Sequence, residues 1–144
     1  PFDPVVFAAV AGFFAILDPR SGSMSYTNAG HNPPALVRNS GKVALLTTGG
    51  PVLGILPNIP YMGGHTVLEP GESLVMYSDG VSEAPNAAGE EFSEEAVAQI
   101  AVACKDRSAN ETMLEIGRQL RCFLGDLQPV DDVTLLVVRR VPTA

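Results

Sequence analysis

Apolar residues alternate at short spacing through the first half of the chain and take a helical period only in the second half. Residues 13–18 and 24–27 read as strands around Pro19-Arg20-Ser21-Gly22, which predicts a hairpin. Residues 35–38 and 43–47 predict a second hairpin around Asn39-Ser40-Gly41. Residues 65–68 and 73–77 predict a third, turning at Glu69-Pro70-Gly71-Glu72. Between the last two, residues 49–64 hold five glycines and three prolines, which predicts an irregular segment lying over a sheet rather than in it. Ser93 is the expected N-cap of a first helix, with Glu94 and Glu95 in its first turn and Phe92 placed to pack on Val97. Val97, Ile100, Ala101 and Cys104 make its apolar face. Ser108 to Glu111 reads S-x-x-E, a capping-box signature, and opens a helix through Met113, Ile116, Leu120 and Phe123 that ends at Gly125-Asp126. The β-branched run 133–138 predicts a last, buried strand. Three hairpins, two helices and a final strand make an α+β pattern in a single domain spanning residues 1–144.

The chemistry concentrates in residues 72–84, ESLVMYSDGVSEA. An apolar strand stops at Ser78-Asp79-Gly80, and Asp-Gly is strong turn chemistry because Gly accepts positive φ. The Asp79 carboxylate is thereby left where a rigid strand meets solvent, a good place to hold a hard cation. The plainer alternative is that Asp79-Gly80 only turns the chain. Asp131-Asp132 stands just before the last strand. Adjacent carboxylates at the mouth of an apolar strand repel each other unless solvent or a cation compensates them. If the two strand ends lie side by side, Asp79 and Asp131 converge on an oxygen-rich pocket suited to Mg²⁺ or Mn²⁺. Otherwise Asp131-Asp132 is an exposed loop.

Four blocks in order carry a family resemblance: LDPRSGSMSYTNAGHNPPALV, GGPVLGI, SLVMYSDGVSEAPNAAGEEF and DDVTLLVVRR. From about Phe13 to Arg140 the chain resembles the bacterial SpoIIE/RsbU-type branch of the metal-dependent (PPM, 2C-type) Ser/Thr protein phosphatases. The resemblance implies an αββα sandwich of antiparallel sheets with metals at one end of the sheets. It implies hydrolysis of phosphoserine or phosphothreonine by a metal-activated water, with two Mn²⁺ or Mg²⁺ ions in a complete site. It makes Asp79 and Asp131 metal ligands, Asp132 a further ligand candidate or outer-shell group, and Gly80 the place where backbone approaches the metal. His31 is a candidate proton donor to the leaving oxygen, or a loop-organising histidine helped by Asn28 and Asn32. Glu83 can bond a metal-bound water or cap the next loop, and His65 reads as a surface residue. The G-D-[VI]-x-G-[HK]-G-like block that such domains carry nearer their start has no counterpart here. The domain is therefore expected to be N-terminally incomplete, its metal site partial and its own activity low. A phosphatase-like regulatory module without turnover is the alternative.

Composition narrows the partners. A formal net charge of −7 argues against non-specific nucleic-acid binding. The only basic doublet, Arg139-Arg140, reads as a solvated strand end. The apolar run 5–17 is too short to span a bilayer, is bracketed by Asp3 and Asp18 and lacks a basic n-region. A buried helix end or loop running into a buried strand is the expectation, and the chain reads as cytoplasmic. Cys104 and Cys122 fit no thiolate metal cluster and read as small buried hydrophobes. By resemblance the partner is a phosphorylated protein such as an anti-sigma-factor antagonist. The missing strands are expected to leave an edge or apolar face uncovered, and with it self-association.

Overall fold

In the computed structural model, which describes residues 9–141, the first predicted hairpin forms as β1 (Gly12–Leu17) and β2 (Ser23–Ala29). They pair antiparallel from Gly12↔Ala29 to Leu17↔Met24. Asp18 organises the turn, its Oδ1 accepting from the Arg20 amide at 2.9 Å and its Oδ2 from Ser21 Oγ at 2.8 Å. The second hairpin is β3 (Ala35–Val37) with β4 (Val43–Leu45).

Residues 49–64 enter a sheet at both ends, contrary to the reading of them as lying over it. β5 (Gly49–Gly50) runs parallel to Asn28–Ala29 of β2, an approach open only to glycine, since a Cβ at Gly49 would sit 1.7 Å from the Asn28 carbonyl oxygen. The third hairpin is a correction too. β6 (Gly64–Val67) pairs with β2, whereas β7 (Ser73–Tyr77) pairs with β3. The turn at 69–72 is present, with the Glu72 amide donating to the Glu69 carbonyl at 3.0 Å. It carries the chain from one sheet to another, which local turn chemistry does not distinguish from a hairpin.

The chain divides into two compact units, Pro1–His31 with Thr47–Val67 and Asn32–Leu46 with Leu68–Ala144. In the first, β2 is central, with β1, β5 and β6 paired to it. Among the described residues β1 pairs as a strand only with β2, and on one of its faces Phe14 and Ile16 are 53% and 80% exposed. The strand expected to be buried is therefore a half-exposed edge. Residues 5–8 of the apolar run preceding it lie outside the described residues.

In the second unit the order is β4-β3-β7-β8, with β8 at Leu135–Arg139. Ala35, Val37, Val75 and Tyr77 alternate onto one face, where they meet Val97, Ala101, Ile116, Leu120 and Leu124 in one core cluster. The last five come from α2 (Glu94–Ala103) and α3 (Ala109–Leu124), both as predicted. Ser93 Oγ caps α2 at the Ala96 amide, and Ser108 with Glu111 closes a reciprocal capping box on α3. Such caps are worth about 1 kcal/mol each. Phe92 and Val97 are both buried in the cluster, and Phe92 meets Phe123 edge to face at 5.4 Å.

β8 begins two residues later than the run 133–138 suggests and is only half-buried; among the described residues it pairs as a strand with β7 alone. Arg139 and Arg140 are not a solvated end. Arg139 Nη1 donates to the Lys105 carbonyl, and Arg140 Nη1 donates to the Leu68 carbonyl at 3.0 Å. Cys104 is buried as expected, whereas Cys122 on α3 is exposed, and both thiols are free. No helix among the described residues is long and apolar enough to cross a membrane.

Candidate functional site

Every residue of β7 except Met76 is buried, so the strand end at Ser78 is fixed from behind. Asp-Gly does not make a left-handed turn there. Asp79–Ser82 is a single helical turn, α1, and Gly80 has no positive φ. Gly80 is required for a different reason: a Cβ on it would lie 2.5 Å from the Asp132 carbonyl oxygen and 3.1 Å from that of Asp131. The acidic segment before β8 thus runs directly against α1.

That closeness follows from register. Tyr77 faces Leu135 in the ladder, which sets Ser78 opposite Thr134. The Ser78 amide donates to the Thr134 carbonyl at 3.0 Å. The Ser78 carbonyl is occupied within the helical turn, accepting from the Val81 amide at 3.0 Å. Its hydroxyl takes over the cross-strand side, accepting from the Thr134 amide at 2.9 Å and donating to the Asp132 carbonyl at 2.8 Å.

Asp79 and Asp131 consequently line one cleft of about 320 Å³, together with Gly80, Glu83, Ala84, Pro85 and Val130. Three lining residues are acidic and none is basic. Asp79 Oδ1 accepts from the Gly80 amide at 2.9 Å, and Asp131 Oδ1 from the Asp132 amide at 2.7 Å. Among the described residues neither Oδ2 has a hydrogen-bond donor. Asp132 is not in the lining and contributes its carbonyl to the Ser78 tie instead. Glu83 closes α1, its amide donating to the Asp79 carbonyl at 2.8 Å, and lines the same cleft.

An all-oxygen, uncompensated acidic lining fits a hard divalent cation. The fit is partial, for among the described residues no group of three or more His, Cys, Asp or Glu is placed to hold a metal. In the core cluster, the buried Tyr77 hydroxyl has no hydrogen-bond partner among the described residues. Burial first, then Glu94 and Glu95, push its pKa up, so it stays a neutral phenol.

His31 belongs to the first unit, and the bonds that hold its loop run through its backbone. Asn28 Oδ1 accepts from the His31 amide at 2.8 Å, and Asn28 Nδ2 donates to the His31 carbonyl at 2.9 Å. It is Asn28, 5% exposed, that organises the loop. His65 is exposed and shares a 3.0 Å bond with Ser25 across β2 and β6. Two residues take roles other than those the sequence suggests. Ser78 stands where a helix N-cap is expected, before Asp79, but its hydroxyl bonds across to Thr134 and Asp132 instead. Asn32, whose Nδ2 donates to Ser82 Oγ of α1 at 2.8 Å, lies 50 residues away and gives no local signal.

Comparison with known proteins agrees with this architecture. Protein IcfG of Synechocystis sp. is 32% identical over 140 residues, which is 96% of this chain and 21% of that protein. The RsbU and RsbW domains of Rv1364c from Mycobacterium tuberculosis superpose with a TM-score of 0.74 at 30% identity, covering 93% of this chain and 37% of that one. The phosphatase domain of the cell fate determinant SpoIIE from Bacillus subtilis gives a TM-score of 0.71 at 20% identity, over 93% of this chain and 60% of that one. The chain thus spans about a fifth of its curated relative and less than two thirds of either solved chain. Its mixed α+β fold, built mainly of antiparallel strands, is that of part of a PP2C-type phosphatase domain. The family described as Stage II sporulation protein E (SpoIIE) matches residues 6–141, and to that family the chain belongs.

Proposed function

We propose that the chain is the cation-binding portion of a metal-dependent phosphoprotein phosphatase acting on phosphoserine or phosphothreonine. Asp79 and Asp131 are its ligands to Mn²⁺ or Mg²⁺. One observation carries this reading: the β7–β8 register brings two carboxylates, 52 positions apart in the sequence, onto one cleft without a basic residue in its lining. Asp79 and Asp131 would hold the ion, each carboxylate oriented by a backbone amide on its Oδ1. Gly80 keeps the intervening backbone close, and Glu83 adds negative charge at the rim. What such an ion supplies when bound is Lewis acidity toward phosphoryl oxygens and a lower pKa for water. The substrate proposed is a phosphorylated signalling protein of the anti-sigma-factor-antagonist kind, met in the cytoplasm.

Two carboxylates are fewer than a two-ion centre uses, so weak binding and slow turnover are expected of this chain by itself. The same shortfall favours a second reading, a regulatory module that binds partners without turnover. Calorimetric titration with Mn²⁺, alongside hydrolysis of p-nitrophenyl phosphate, separates the two. Binding lost in Asp79→Asn, with hydrolysis above that variant's background, supports the enzyme. Binding lost without any such hydrolysis supports the regulatory module. Equal Mn²⁺ binding by Asp79→Asn and the unaltered chain overturns the site.

A further inference from the structure

We infer that Ser78 is a positioning residue whose hydroxyl sets the spacing between the Asp79 and Asp131 carboxylates. The inference rests on the cation-site reading above and extends it to a residue that does not touch the ion.

The argument begins with a conflict at one residue. Ser78 directly follows β7, which ends at Tyr77, and is the N-cap of α1. An antiparallel ladder continuing through Ser78↔Thr134 needs the Ser78 carbonyl to accept from the Thr134 amide. A helical turn starting at Asp79 needs that same carbonyl turned toward the Val81 amide, and the turn has it. The Thr134 amide is then left to find another acceptor. Ser78 Oγ provides it at 2.9 Å. A serine at an N-cap ordinarily accepts from its own helix. This one makes no such bond, and its hydroxyl proton goes across to the Asp132 carbonyl at 2.8 Å.

One hydroxyl therefore holds both ends of the segment Asp132–Thr134, from the residue just before Asp79, and that segment directly follows Asp131. Alanine at 78 would leave the Thr134 amide and the Asp132 carbonyl without this partner and free the acidic segment to move off α1. β7, β8 and the core cluster involve no Ser78 side-chain atom and stay in place. Threonine retains a hydroxyl on the same carbon and is the conservative control.

Ser78→Ala, Ser78→Thr and Asp79→Asn in the full chain give the test, read by amide hydrogen exchange without metal and by Mn²⁺ calorimetry. Ser78→Ala is expected to speed exchange at Thr134 at least about 10-fold and to weaken Mn²⁺ binding by about 10-fold, the usual effect of losing an outer-shell partner. Exchange at Val75 and Val137 is expected to stay unchanged. Ser78→Thr is expected to restore both quantities, and Asp79→Asn to lose Mn²⁺ while keeping Thr134 protected. Unchanged Thr134 exchange in Ser78→Ala overturns the inference. So does faster exchange with undiminished Mn²⁺ affinity, which makes Ser78 a strand tie only. Mn²⁺ binding that survives Asp79→Asn overturns the cation site itself, a result recognisable because it appears without any change at Ser78.

Discussion

Replacing Gly80 by alanine sets two calculable effects against each other. Gly80 lies in a helical turn without positive φ, so alanine gains up to about 1 kcal/mol of helix propensity. In a single turn that gain falls at the low end, since there is little helix to propagate. Against it stands the new Cβ, 2.5 Å from the Asp132 carbonyl oxygen and so about 0.9 Å inside ordinary contact at 3.4 Å. The atom met is backbone, tied to Ser78 at 2.8 Å, and does not rotate away as a side-chain tip would. Overpacking of this kind costs about 1–3 kcal/mol. The net expectation is a loss of about 1 kcal/mol, or a fall of about 2–4 °C in melting temperature. Mn²⁺ affinity should fall with it, because the shift needed to admit the methyl moves Asp131 away from Asp79. Thermal unfolding followed by circular dichroism, with and without Mn²⁺, reads both. A variant melting at or above the unaltered chain would show that propensity outweighs contact, and the close approach of residues 131–132 to α1 would have to be abandoned.

Three other outcomes are open to measurement. Glu72, 5% exposed, accepts from Arg38 Nη1 at 2.8 Å and from the Glu69 amide at 3.0 Å. Glu72→Ala should cost about 1–3 kcal/mol in denaturant unfolding, the scale for hydrogen bonds to a charged group whose partner Arg38 is half-buried, and a cost below 1 kcal/mol would demote it to an ordinary surface contact. Hydrogen bonds from Arg118, then Gln119, lower the Glu115 carboxyl from 4.5 to about 2. Its stabilising contribution is therefore present above pH 4.5 and lost as pH falls toward 2. Glu115→Gln should flatten that part of the stability profile, and an unaltered profile would refute the assignment. The apolar edge of β1, with Phe14 and Ile16 exposed, should drive self-association that Ile16→Lys abolishes. A monomeric sedimentation profile at high concentration would count against it.

The elements were legible where local chemistry decides them. Ser93, Ser108 and Glu111 carry cap signals that do not depend on tertiary context, and both helices begin where these residues place them. The hairpin around residues 19–22 follows likewise from its turn. Pairing across sheets was not legible, because nothing in Glu69-Pro70-Gly71-Glu72 records whether the next strand returns beside β6 or joins β3. At the site, the meeting of Asp79 and Asp131 on one cleft was anticipated from two strand ends, and of the two reasons given for Gly80 only close backbone approach applies, since no positive φ is adopted. Its value is the absence of a Cβ against residues 131–132 rather than freedom in φ, a fact fixed by a segment some 50 positions away. Asp132, read as a further ligand candidate or outer-shell group, is absent from the cleft lining and uses its carbonyl to bond Ser78, a role set by the cross-strand register and not by period or charge.

The unequal surroundings of the two cysteines give this chain a built-in reporter. Cys122 stands open on α3, whereas Cys104 is enclosed and its thiol is pushed up chiefly by burial. A maleimide dye at neutral pH should label the first within seconds and the second only when the α2 end opens. The stoichiometry of labelling over time then times that opening with no engineered probe.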